Sequence, residues 1–293
     1  MGAKMDIKVV DYRSADAPRL FTESLRETGF AVLAHHPVPF EVVERLWAEW
    51  LAFFKSDRKW GFEYGDGEQA GYRSMAGSEV AVGATVKDIK EYFHFYPWGR
   101  NPSPEDAIAM ELFRAGSSLA VELLGWVQQE TPEDVRARFS IPLPDMLTGS
   151  DRTLLRILHY PPLTGSEEPG SIRAAAHEDI NLLTVLPSAN EPGLQVQDLD
   201  GNWYDVPCDP GTVAVNCGDM LELASGGFYP STTHRVLNPV GEGAKRSRVS
   251  TPLFLHPQDD VELSPGVTAF DFLDQRVKAI TGQGLQRKNP DAR

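Results

Sequence analysis

The sequence predicts a mixed α/β (α+β) fold, with a helical N-terminal half packed on a C-terminal half of antiparallel strands. Three observations carry this. Up to about residue 150, apolar residues recur at three- and four-residue steps between helix start and stop signals. From Arg152 onward, short runs rich in Leu, Val and Thr alternate with Pro, Gly, Asn and Asp turns, the texture of a sandwich or barrel. No repeat or low-complexity linker divides the 293 residues, so they read as a single domain. Within it, 1–150 is the mainly helical part, 151–265 the strand-rich part, and 266–293 a last helix with a tail.

Ile7 to Asp11 fits a short strand. Ser14 or Asp16 then caps a helix with Pro18 in its first turn and Gly29 as its stop. Phe30 to Leu33 reads as a buried strand. A second helix starts near Pro39, and its stripe of Val42, Val43, Leu46, Trp47, Trp50, Leu51, Phe53 and Phe54 has the spacing of a core face. Trp60 to Val86 is glycine-rich and weakly periodic, the pattern of a long and therefore functional loop. Lys87 to Trp98 is aromatic-rich with strand alternation. Ser103 as cap and Pro104 at the first helical position open a helix to about Gln129, and Thr131-Pro132 opens a short one toward Arg138. The strand candidates that follow are Leu154–His159, Leu182–Leu186, Leu194–Gln197, Trp203–Val206, Thr212–Asn216, His234–Asn238 and Val249–Leu255. Asp200-Gly201 marks a hairpin between the third and fourth of these. Val267 to Ile280 looks helical, and Gly282 to Arg293 is a polar tail.

The formal net charge is −14 with Lys and Arg scattered, which argues against nucleic acid or an anionic membrane as a main partner. A small-molecule substrate remains, since one buried Arg suffices for a small anion. Two cysteines, Cys208 and Cys217, make neither a disulfide framework nor a thiolate metal site. The first ten residues lack the apolar region of a signal peptide, and no apolar run reaches the roughly 18 residues of a bilayer span. The expectation is a cytoplasmic protein.

The chemistry concentrates between His177 and Ser250. His177 and Asp179 are two apart, so on a strand their side chains share one face. His234 begins another strand candidate and can close a site from across the barrel. Two imidazoles and a carboxylate suit iron(II), manganese or zinc; on one face of an octahedral metal they leave three positions open, as in non-haem iron(II) oxygenases, which favours redox chemistry over a closed structural zinc site. A chance His-x-Asp or a surface hydrogen bond is the plainer reading of the pair alone. Arg248-Val249-Ser250 can hold a carboxylate, although Arg138-Phe139-Ser140 has the same spelling at a helix end. Order and spacing inside a strand-rich half make the whole set specific.

The segments HEDINLLTVL, EPGLQVQDLDGNWYDVP, GTVAVNCGDMLELASGGFYPSTTHRV and RVSTPLFLHP, with looser matches at GFAVLAHHPV and GYRS, resemble the isopenicillin N synthase-like group of iron(II)/2-oxoglutarate oxygenases. The resemblance covers nearly the whole chain. It implies a double-stranded β-helix (jelly-roll) core in 151–265, flanked by helices mostly from the N-terminal half. It implies that His177, Asp179 and His234 are iron ligands, with no catalytic side chain beyond them. Arg248 and Ser250 are the implied pair for the distal carboxylate of 2-oxoglutarate, since a guanidinium clamps a carboxylate through two parallel charge-assisted bonds. Tyr160 falls where the family places a tyrosine beside the co-substrate; plant relatives often have Asn where Leu158 stands. The implied reaction consumes 2-oxoglutarate and O2 and releases succinate and CO2 while a small molecule is hydroxylated, desaturated or cyclised.

Arg156 shares the strand phase of Leu158 and Tyr160 and is a candidate substrate contact, as are Tyr72 and Arg73 in the long loop, Phe93 and Phe95 on the aromatic strand, and Phe228 before His234. The alternative for the aromatics is the core, and for Arg156 and Arg73 the surface. If Arg73 faces a cavity, an acidic or amino-acid substrate follows. Two other functions fit the same residues less well. One is a same-fold iron oxidase that does not take 2-oxoglutarate as co-substrate, or an ethylene-forming type. The other is a jelly-roll protein that binds metal without catalysis, which has no need of Arg248.

Overall fold

A computed structural model of the chain describes residues 5–65, 69–77 and 86–285. The expected long loop Trp60–Val86 lies partly outside these residues, as does most of the expected tail. In chain order the regular elements are β1 (Val9–Asp11), α1 (Ala17–Thr28), β2 (Phe30–Ala34), α2 (Phe40–Lys55), β3 (Gly71–Arg73), β4 (Glu91–Phe95), α3 (Glu105–Glu130) and α4 (Glu133–Arg136). There follow β5 (Leu154–Tyr160), β6 (Ala174–His177), β7 (Leu183–Pro187), β8 (Leu194–Gln197), β9 (Trp203–Asp205), β10 (Val213–Cys217) and α5 (Asp219–Ser225). The last are β11 (His234–Val236), β12 (Arg248–Ser250), β13 (Leu253–Leu255), β14 (Glu262–Ser264), β15 (Val267–Thr268) and α6 (Ala269–Thr281).

The strands form a large sheet in the order β1-β2-β10-β7-β13-β5-β4-β3, with β12 also paired to β5, and a small sheet β6-β11-β8-β9. The large sheet takes strands from both halves of the chain. Its strands are nearly continuous apolar runs because both faces are covered. Leu33, Leu155, Ile157, Val185, Val213 and Val215 belong to the core under the helices. Their alternates Phe30, Val32, Leu158, Tyr160 and Ala214 join Leu194, Val196 and Val236 of the small sheet in a second core. The layers are therefore helices, large sheet, small sheet, and the space between the sheets is where a site can form. This is the mixed fold with a jelly-roll core that the sequence predicts.

Sequence and structure agree on most elements, and the differences have local causes. Val249–Leu255 is two strands, because Pro252 has no amide hydrogen to continue the ladder; its carbonyl accepts from Arg156 instead. β6 was not expected: Ala174-Ala175-Ala176 carries little strand propensity, and its pairing with β11 decides its state. Pro104, not Ser103, occupies the cap of α3, with no side-chain cap bond. The predicted hairpin joins β8 to β9, Gln197 facing Trp203, with Gly201 at φ 85°.

Candidate metal and co-substrate site

His177 is the last residue of β6 and His234 the first of β11, and the two face each other directly in the ladder. The second imidazole thus comes from the neighbouring strand rather than from across the barrel. Asp179 lies just beyond the end of β6, so a loop rather than strand alternation brings its carboxylate to the imidazoles. That loop is held down from below. The Asp219 amide donates to the Asp179 carbonyl at 2.7 Å, and Gly218 sits so close that a Cβ there would meet the Asn181 carbonyl at 2.2 Å.

The nitrogens have defined roles. His177 Nδ1 donates to the Ala175 carbonyl at 2.7 Å and His234 Nδ1 to the Thr232 carbonyl at 3.1 Å. Each ring is thereby left with a lone pair on Nε2, and these lie 3.9 and 3.8 Å from Asp179 Oδ1. The three donor atoms all fall within 4.8 Å of one another. Neighbouring ligands of an octahedral ion at roughly 2.1 Å would stand about 3 Å apart, so a small inward movement of these side chains completes the set. Asp179 Oδ2 is already engaged, accepting from Thr184 Oγ1 at 2.5 Å and Asn216 Nδ2 at 2.9 Å, which turns Oδ1 toward the imidazoles. Burial opposes the Asp179 charge, but His234, His177, Asn216 and Thr184 outweigh it and hold its pKa below the ordinary value. Burial and His234 push His177 down to about 4. A His177 imidazole held neutral beside an ionised Asp179 carboxylate suits a divalent metal, which takes its ligands deprotonated. The residues present fit iron(II).

Next to this cluster the two sheets line a partly open cavity. Arg248 and Ser250 both line it, opposite Tyr160 and Leu158 in the β12–β5 ladder. Arg248 is 3% exposed; its Nε donates to the Glu191 carbonyl at 2.9 Å, its guanidinium stands 5.2 Å from the Tyr160 ring, and Nη1 has no partner among the described residues. A buried cation with a spare N–H aimed beside a hydroxyl is a receptor for a carboxylate. Arg156 lines the cavity as well, and its Nε donates to His94 Nε2 at 2.8 Å. It lies between the rings of Tyr92 and Phe254, at 4.9 and 5.4 Å. Burial and Arg156 keep the His94 pKa well below its ordinary value.

The other expected substrate contacts do not reach this cavity. Phe93 and Phe95 point the opposite way, into the core, where Phe93 packs on Trp50 at 5.0 Å. Tyr72, opposite Phe93, is on the same face, and its hydroxyl donates to Glu91 at 2.5 Å. Phe228 packs on the helical core under Arg26. Arg73 is on the cavity side of β3 but stacks on the Tyr64 ring at 4.2 Å and does not line the cavity. The cause is the phase of β4: Tyr92 and His94, one residue out of step with the two phenylalanines, pair with the cavity residues Leu158 and Arg156 without themselves lining the cavity. Thr184, Asn216 and Lys90 line the cavity without having been singled out. The first two carried a readable signal, a polar residue in an otherwise apolar strand.

A profile of the 2OG-Fe(II) oxygenase superfamily matches residues 152–257, the span from β5 through β13 that builds most of the cavity. A crystal structure described as an oxygenase, from Shewanella oneidensis, superposes with a TM-score of 0.85 at 52% identity, covering 93% of this chain and 98% of that one. Flavonol synthase/flavanone 3-hydroxylase of Eustoma exaltatum subsp. russellianum is 28% identical over 90% of this chain and 80% of its own. A gibberellin 2-beta-dioxygenase of Phaseolus coccineus is also 28% identical, over 88% of this chain and 79% of its own. Oxygenases thus match this chain along nearly its full length, and the chain belongs to the isopenicillin N synthase-like group of the 2OG-Fe(II) oxygenase superfamily, as an iron(II)/2-oxoglutarate-dependent dioxygenase.

Proposed function

We propose that His177, Asp179 and His234 hold the iron(II), and that Arg248, Ser250 and Tyr160 receive the distal carboxylate of 2-oxoglutarate. The observation that carries this is the convergence of two Nε2 lone pairs and one carboxylate oxygen beside a cavity that contains a buried arginine. Iron(II), when bound, supplies the activation of O2 coupled to decarboxylation of the co-substrate to succinate and CO2. The chain supplies position. Thr184 and Asn216 aim Asp179, and the Ala175 and Thr232 carbonyls fix the tautomers of His177 and His234. Leu158, Leu186 and Val236 form a dry wall, which strengthens the Arg248–carboxylate contact.

The substrate is a small molecule that enters over Arg156, the one of the expected substrate contacts that lines the cavity. We read 1–293 as one oxygenase domain, because the large sheet that carries the site takes strands from both halves. A cytoplasmic setting, with no nucleic-acid or membrane partner, is in keeping with a charge of −14 and with no helix among the described residues long and apolar enough to cross a membrane. The test is anaerobic titration with iron(II) and 2-oxoglutarate, reading the visible charge-transfer band of a chelated oxo acid. Asp179→Ala should lose the band and succinate formation while keeping its thermal transition; a fully active Asp179→Ala enzyme overturns the ligand assignment.

A further inference from the structure

Arg173 is fully buried and is one of the largest fully buried side chains, yet the reading above gives it no task. Among the described residues its one hydrogen bond runs from Nη2 to the Arg246 carbonyl at 3.2 Å, and Nε and Nη1 have no partner there. Its guanidinium stands 5.9 Å from the ring of Tyr160, the ring that Arg248 approaches to 5.2 Å. The acid that acts on both arginines, Glu191, is committed elsewhere, with its carboxylate on Arg246 at 2.5 and 3.1 Å. Among the described residues, two guanidiniums are thus buried around one tyrosine without a carboxylate of their own. Burial and the charge of Arg248 lower the Arg173 pKa to about 10, the mark of a cation held where it is unfavourable. A side chain that only filled this space would be apolar, since a buried unpaired cation is costly. The cost is offset if an anion arrives.

We propose that Arg173 is a positioning residue for the co-substrate: from behind Tyr160 it adds a second positive charge to the Arg248 pocket and makes that pocket selective for an oxo acid with a charged distal end. This rests on the assignment of Arg248 above. Arg173 is not on the cavity wall, so it acts through the field and through Tyr160 rather than by contact. Removing it should weaken a dicarboxylic oxo acid and leave its neutral-ended analogue alone.

The test compares the affinity of the anaerobic iron(II) protein for 2-oxoglutarate and for 2-oxoglutaramate, in which an amide replaces the distal carboxylate. Arg173→Met should bind 2-oxoglutarate about 5- to 20-fold more weakly, with 2-oxoglutaramate and iron(II) affinity unchanged. Arg173→Lys should restore most of the preference. The ligand-free Arg173→Met protein should also melt higher than the wild type, because the repulsion with Arg248 is gone. If Arg173→Met does not fold, Arg173→Gln carries the same comparison. An unchanged preference with a lower melting temperature makes Arg173 a packing residue and overturns the proposal. Arg248→Met separates the two ideas: if it abolishes the preference while Arg173→Met does not, only this inference fails; if neither variant changes it, the Arg248 assignment fails.

Discussion

Replacing Thr184 by Val tests whether the surroundings of Asp179 set the metal affinity. The change keeps the shape and removes the hydroxyl that donates to Asp179 Oδ2 at 2.5 Å. A hydrogen bond to a charged group contributes roughly 1.5–3 kcal/mol. Part of that is regained in the variant, because Asn216 still donates to the same oxygen at 2.9 Å. Outer partners of metal ligands typically change affinity by about 10–100-fold, which is about 1.4–2.7 kcal/mol, so the two figures agree. The pH dependence is fixed by the charge state. Loss of a donor raises the Asp179 pKa toward its ordinary value, which still leaves the carboxylate ionised at neutral and mildly acidic pH, so the loss of affinity should be nearly the same at both. Anaerobic iron(II) titration at neutral and mildly acidic pH measures both effects. The thermal transition of the metal-free protein should fall too, because the hydroxyl is also the acceptor for Asn181 Nδ2 at 2.9 Å, so iron affinity is compared well below the transition of the variant. Wild-type iron affinity at both pH values would refute the reasoning and make the Thr184 bond incidental.

Phe93→Ala should lower stability by about 3–5 kcal/mol, seen in urea unfolding, because Phe93 is fully buried against Trp50 and Phe53. Its KM for substrate should stay near that of the wild type, and a raised KM with intact stability would return Phe93 to the cavity. His256 is buried, and desolvation pushes its pKa down to about 4. In the unfolded chain it takes a proton at about 6.5, so the unfolded state binds more protons between pH 6.5 and 4, and stability should fall with pH across that window. The slope from this residue approaches about 1.4 kcal/mol per pH unit. His256→Asn should flatten it in urea melts at several pH values, and an unchanged slope would show that His256 does not carry it.

How much was legible differs between the site and its surroundings. His177, Asp179 and His234 could be singled out because their side chains have few other reasons to recur in that order, and the structure brings their donor atoms together. Arg248, Ser250 and Tyr160 likewise meet at one cavity. The substrate wall was less legible. Tyr72, Phe93 and Phe95 looked like cavity aromatics because β4 is aromatic on both faces, and only its pairing with β5 shows that Tyr92 and His94 are the residues opposite Leu158 and Arg156 of the cavity. Arg173, two residues from Ala175 in a segment with little strand character, gave no signal at all.

The sequence by itself determined the class of fold through local periods of two and 3.6, and it singled out the residues proposed as donor atoms and as the cation for a carboxylate through residue type, spacing and the resemblance of its motifs. Only the tertiary structure decided which face of each strand looks into the cavity, that a loop rather than a strand delivers Asp179, and that two arginines share one tyrosine. The physical reason is that a period of two tells which side chains lie together but not which side is inside. That choice is made by distant partners: helices α1 to α3 cover one face of the large sheet, and the small sheet covers the other.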